Sequence, residues 1–181
     1  MTLMQRRRAL MGVKKDSGKI MLFANGVVSP KLGGFEVKGP NDPSDNVTVT
    51  IGETIDFTLQ VYIAGSGIKT LCSSNKINAQ GKTLKIKVLS KRSDTRGRNC
   101  WFYAYASNTV IDTSDVPAST EIQNYFPAGD GAKLFIPSTT TAEVETEMAI
   151  PITQNDTYIS IGALKTYIYV EYFKVVEMWL E

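Results

Sequence analysis

The sequence predicts an all-β fold, a jelly-roll β-sandwich of about 8–10 antiparallel strands behind a basic N-terminal arm. Three observations carry this. Apolar side chains recur every second residue in the longest patterned segments, as on strands with one buried face. Gly, Asn, Asp and Pro turn signals separate these short runs. The body has almost no segment with the 3.6-residue period of an amphipathic helix.

Met1–Lys15 combines good helix formers with a basic stripe and reads as a short helix or an extended arm. The boundary falls near Ser17–Lys19, so residues 1–19 are the arm and 20–181 the sandwich. Strands then follow at Ile20–Ala24, Phe35–Lys38 and Val47–Ile51. In Thr54–Ile63, Ile55, Phe57, Leu59, Val61 and Ile63 share one apolar face. After Ile68–Cys72 comes Lys82–Ser90, with Leu84, Ile86 and Val88 inward and Lys85 and Lys87 outward. Cys100–Ala106 alternates Trp101, Tyr103 and Tyr105 with Phe102, Ala104 and Ala106. Thr113–Gly131 is a long polar connection, where Ser119 or Thr120 before Glu121-Ile122-Gln123 fits the start of one helical turn. Lys133–Ile136 is a strand. Ala142–Ile152 sets Ala142, Val144, Met148 and Ile150 inward and Glu143, Glu145 and Glu147 outward. Tyr158–Gly162 and Tyr167–Leu180 close the chain, the last long enough to need a bend or bulge. Asn25-Gly26, Gly33-Gly34, Gly39-Pro40, Gly65-Ser66-Gly67, Arg96-Gly97 and Gly129-Asp130-Gly131 are the turns.

With 181 residues, 43% hydrophobic and 21% charged, the chain is neither disordered nor a disulfide-dense scaffold. It has no histidine, which excludes histidine-dependent triads, histidine acid–base catalysis and histidine zinc sites. No other catalytic motif is present, and no enzyme is expected. The net charge of +2 is divided unevenly. Residues 1–19 hold six basic side chains against Asp16 alone, leaving fourteen basic and seventeen acidic in the body. Such an arm suits phosphates, an acidic membrane surface or an acidic protein groove, and equally a solvated terminus. The net negative body argues against nucleic-acid readout. Cys72 and Cys100 lie in strand-like runs and read as buried hydrophobes rather than a disulfide framework. Ala9–Val13 is too short for a signal-peptide core, and no stretch approaches the length of a membrane-spanning helix.

Several side-chain groups invite a binding role. Trp101, Tyr103 and Tyr105 on one strand face could stack on sugar rings, whose C–H faces pack on aromatic planes; equally, they could face the core, or line the outer sheet as cross-strand partners while Phe102 faces the core. Tyr125 and Phe126 in the polar connection suggest a ligand or subunit contact, or one ring pinning the loop. Glu143, Glu145 and Glu147 have a spacing glycosidases use, but alternation explains them as a solvated face with Lys85 and Lys87 as cross-strand partners. Asn41, Asp42, Asp45 and Asn46 are oxygen-rich but lack calcium-loop spacing; no metal or cofactor is expected. Lys91, Arg92, Arg96 and Arg98 make a basic hairpin tip, either an anion site or a solvated turn.

Leu22-Phe23-Ala24-Asn25-Gly26 with Gly33-Gly34-Phe35, Gly81-Lys82-Thr83-Leu84-Lys85-Ile86-Lys87-Val88, and Asp156–Gly162 with Thr166–Val170 resemble the galactose-binding-like jelly roll of carbohydrate-binding modules. The resemblance spans residues 20–181 and implies the fold more than the function. It departs at Val27, where an acidic residue often follows the opening Asn-Gly; this leaves out the calcium the resemblance would imply. Met4-Gln5-Arg6-Arg7-Arg8-Ala9-Leu10-Met11 resembles the start of tail-associated structural proteins of phages and prophages from gut Firmicutes. Together they imply a non-enzymatic virion protein of the tail tip, baseplate or capsid surface. It would be a homo-oligomer, a trimer by resemblance. Arg6, Arg7, Arg8, Lys14 and Lys15 would dock to neighbouring virion proteins, and Trp101, Tyr103, Tyr105, Tyr125 and Phe126 would meet a host-surface glycan. The alternative is a carbohydrate-binding module of a bacterial surface or secreted protein.

Overall fold

The structure, a computed structural model, describes residues 18–39, 46–59, 67–93, 100–113, 128–135, 141–165 and 170–181. It is a β-sandwich of two antiparallel sheets. Twelve strands are β1 Ile20–Ala24, β2 Val27–Val28, β3 Phe35–Lys38, β4 Val47–Ile51, β5 Ile55–Leu59 and β6 Gly67–Ser73, then β7 Thr83–Arg92, β8 Cys100–Ser107, β9 Gly129–Phe135, β10 Val144–Pro151, β11 Tyr158–Lys165 and β12 Val170–Leu180. The seven-stranded sheet runs β10-β7-β12-β1-β2, with β5 also on β12 and β4 on β5. The five-stranded sheet runs β3-β6-β11-β8-β9.

The period-two pattern explains the core. Phe57 and Phe173 from one sheet meet Phe102 from the other, with ring centroids 5.8 Å apart in both pairs. Around them Leu22, Ile55, Leu84, Ile86, Ile159 and Ile161 are buried. Each such side chain contributes about 1.5–3 kcal/mol of transfer free energy. The Asn25-Gly26 turn joins β1 to β2 with both residues in the left-handed region, φ 49° and 75°, as a two-residue hairpin requires. Long β12 carries register shifts at Val170/Tyr172 and Val175/Glu177, the bulges its length required.

Three expectations need correction. Gly129-Asp130-Gly131 is not a turn but the start of β9, paired with Tyr105, Ala106 and Ser107. Ala142 is exposed ahead of β10 rather than inward. Arg92 does not sit on a solvated tip: it is 1% exposed at the inward end of β7, while Lys91 pairs with Glu171 at 3.0 Å. Arg96 and Arg98, the 119–123 helical turn, and Asn41, Asp42 and Asp45 lie outside the described residues. The one helical element among the described residues is the 3-10 turn Pro30–Leu32, which Ser29 caps. No helix there is long and apolar enough to cross a membrane.

Candidate functional site

The two sheets present outer faces of different chemistry. On the seven-stranded sheet, Lys85 and Lys87 stand opposite β10 and β12 and are paired. Lys85 meets Glu147 at 3.0 Å and Glu181 at 3.4 Å, and Lys87 meets Glu177 at 3.4 Å. Lys174 lies 3.9 Å from Asp56, and the Tyr172 hydroxyl donates to Glu143. Trp179 sits between Lys19 and Lys87 and donates its indole N–H to Glu181 at 3.3 Å. Alternation and cross-strand pairing account for this face as a charge ladder.

On the five-stranded sheet, Phe102, Ala104 and Ala106 turn to the core and Trp101, Tyr103 and Tyr105 turn outward. The structure places these three rings differently. Tyr103 is 0% exposed, buried with Ile68 and Leu164 under partly buried Trp101. Its hydroxyl is 2.5 Å from Thr70 Oγ1, which is 3.1 Å from Thr113 Oγ1. Burial pushes the Tyr103 hydroxyl well above the ordinary tyrosine range, so it is a neutral structural phenol. Its ring lies over Gly162 of β11, where an added Cβ would collide with Tyr103 and come within 2.6 Å of the Lys69 carbonyl.

Residues 108–113 cover the β6 and β11 part of this face. Ile111 and Thr113 are buried, and the Ile111 amide bonds to the Cys72 thiol. Cys72 is a free, buried thiol, its acidity lowered by burial, with Ser160 Oγ 3.4 Å away. The side chain of Cys100 lies outside the described ones.

The β8–β9 part keeps side chains partly open. Trp101 and Tyr105 are half-buried and stand four residues apart, roughly 13 Å along the strand. The Tyr105 ring leans over Gly129 and Gly131, whose missing Cβ atoms make its seat. Lys133, exposed and opposite Tyr103 in register, holds its ammonium 5.4 Å from the Trp101 ring centroid. Asp130 faces the other way and accepts bonds from the Thr153 amide at 2.7 Å and its hydroxyl at 3.0 Å.

Trp101 and Tyr105 therefore share an accessible strip, and Tyr103 is its buried support. Tyr125, Phe126, Arg6, Arg7, Arg8, Lys14 and Lys15 lie outside the described residues. Sequence reasoning missed Thr70, Lys133 and Gly162. Only glycine inside a strand pattern, a sign of close approach, pointed to the last. Among the described residues no three His, Cys, Asp or Glu side chains gather as a metal site.

No family model and no curated protein matches this chain in sequence. Solved structures share its fold. A cleaved adhesin domain of Lys-gingipain from Porphyromonas gingivalis aligns over 91% of this chain and 98% of that one, with 10% identity and a TM-score of 0.52. A second adhesin domain of the same protein aligns over 81% and 90%, with 9% identity and a TM-score of 0.51. A family 61 carbohydrate-binding module, solved in complex with β-1,4-galactotriose, covers 83% of this chain and 90% of that one, with 10% identity and a TM-score of 0.47.

Proposed function

We propose that this chain is a non-enzymatic carbohydrate-binding adhesion module, and that the β8–β9 strip is its glycan contact. The observation carrying this reading is the pair of half-buried rings, Trp101 and Tyr105, fixed on one open sheet face. Such rings offer apolar planes to sugar C–H faces at low conformational cost, since packing already holds them. The fold shared with bacterial adhesin domains is consistent with it. Tyr125 and Phe126 are further candidate contacts. The test is affinity electrophoresis of the full chain through a panel of soluble polysaccharides. Retardation by at least one glycan is expected, with a loss of about tenfold or more in Trp101→Ala at unchanged melting temperature. No retardation across the panel, or equal retardation of the variant, overturns the reading.

A second reading, a virion protein displaying this module, rests on the Arg6-Arg7-Arg8 run and its basic surroundings. In it the arm docks to neighbouring subunits and the module forms a trimer. Deleting residues 1–15 should then spare folding and abolish incorporation into phage particles, as read by mass spectrometry of purified particles. Incorporation of the truncated chain refutes it.

A further inference from the structure

The lysines divide by face. On the seven-stranded face Lys85, Lys87, Lys91 and Lys174 each meet a carboxylate within 4 Å. The aromatic residues there also keep carboxylate company, Trp179 with Glu181 and Tyr172 with Glu143. Lys133 on the five-stranded face is different. Its neighbour is the Trp101 ring, and among the described residues no carboxylate lies within ion-pair distance of it. The nearest acid on its own strand, Asp130, occupies the opposite face and is held by Thr153. Lys76 stands 5.3 Å over Tyr158, a second lysine–ring pair on an outward position of β11. Lys38, near the far edge, is already engaged by Glu36 at 2.9 Å.

An exposed cation beside a stacking ring, with no counterion among the described residues, matches a sugar that brings its own negative charge. The ring takes the pyranose face, and the ammonium meets the acidic substituent. We infer that the β8–β9 strip selects anionic polysaccharides, carrying carboxylate or sulfate groups, with Trp101 as stacking platform and Lys133 as the charge that discriminates. This inference rests on the glycan-binding reading above and adds a ligand class to it.

The test pairs polymers that differ only in charge: polygalacturonate against its fully methyl-esterified form, and heparin against its desulfated, N-acetylated, carboxyl-reduced form. The full chain is compared with Lys133→Gln, Lys133→Arg, Trp101→Ala and an Arg6/Arg7/Arg8→Gln variant that weakens the arm. The expected result is about tenfold preference for an acidic member at low salt. This preference should fall about threefold to tenfold in Lys133→Gln, survive in Lys133→Arg and in the arm variant, and shrink as salt rises. A response in the polygalacturonate pair shows that carboxylate suffices. Preference for neutral members, with loss only in Trp101→Ala, overturns the inference and leaves the glycan-binding reading standing. Acid preference lost in the arm variant but kept in Lys133→Gln also overturns it, assigning the charge effect to the arm. Binding to no polymer, here and across the wider panel, removes both.

Discussion

Gly162→Ala is the sharpest perturbation the structure offers. Gly162 has an ordinary strand backbone, so the effect of a methyl group is purely steric. The new Cβ would overlap the Tyr103 ring and hydroxyl and approach the Lys69 carbonyl of β6 to 2.6 Å. Neither neighbour can step aside cheaply. The carbonyl belongs to the paired strand, and Tyr103 is fully buried with its hydroxyl on Thr70. Overpacking costs about 1–3 kcal/mol, and breaking the Thr70–Tyr103 bond in a buried setting adds about 1–2 kcal/mol, for about 2–5 kcal/mol in all. In a chain of this size that is a melting-temperature loss of roughly 5–20 °C. Gly131→Ala is the control. Its Cβ would strike the Tyr105 ring, 2.5 Å from Cε2, but that ring is half-exposed and can swing outward. Its cost should stay within about 1 kcal/mol, while displaced Tyr105 weakens glycan binding. Thermal melts by circular dichroism compare the two. A Gly162→Ala shift below about 2 °C, or equal losses in both variants, would refute the idea that buried Tyr103 is the fixed support of the strip.

Three further outcomes are expected. Partial burial, then the bond to Glu143, pushes the Tyr172 hydroxyl up to about 12, so the fold favours the neutral phenol. Stability from this group is whole below the ordinary tyrosine pKa of about 10 and is lost as pH rises towards 12. Melts between pH 9 and 12 should therefore fall less steeply in Tyr172→Phe, and parallel slopes would contradict this. The buried Cys72 thiol should resist N-ethylmaleimide at neutral pH and react after denaturation, as read by peptide mass mapping; rapid native labelling at Cys72 would mean that residues 108–113 do not cover it. The triple variant Glu143/Glu145/Glu147→Gln should melt within about 3 °C of the parent and retain glycan binding, since exposed pairs contribute little. Loss of binding in that variant would move the site to the other face.

Much of the fold was legible because burial here follows alternation. Leu84, Ile86 and Val88 against Lys85 and Lys87 is a pattern that only a half-buried strand satisfies, and β7 has it throughout. The same rule put Trp101, Tyr103 and Tyr105 on one face, but neither which face nor how accessible they are. Exposure on an outer face depends on what crosses it, and residues 108–113 carry no periodic signal that places them over β6 and β11. Gly129-Asp130-Gly131 misled for a related reason. Turn chemistry in sequence assumes that a glycine's missing side chain serves the backbone, whereas here it makes room for Tyr105 on the neighbouring strand. Arg92 likewise followed the inward phase of β7, against its own preference for water.

The contrast between the faces also supports placing the proposed glycan contact on the smaller sheet. A ligand on the seven-stranded face would meet Lys85, Lys87 and Lys174 already paired with carboxylates, so their charge is largely answered within the sheet. On the β8–β9 strip, Lys133 holds no such ion pair among the described residues. Tyr103 is wedged against Gly162 and bonded to Thr70, and Trp101 packs against this buried cluster. Tyr105 is seated on two glycines, and Lys133 lies against the Trp101 ring. The rings are ordered before any ligand arrives, which removes the side-chain entropy cost that weakens most exposed aromatic contacts. If the proposed glycan contact holds, glycines on flanking strands, more than the aromatic row itself, are what make an ordinary packing pattern fit for it.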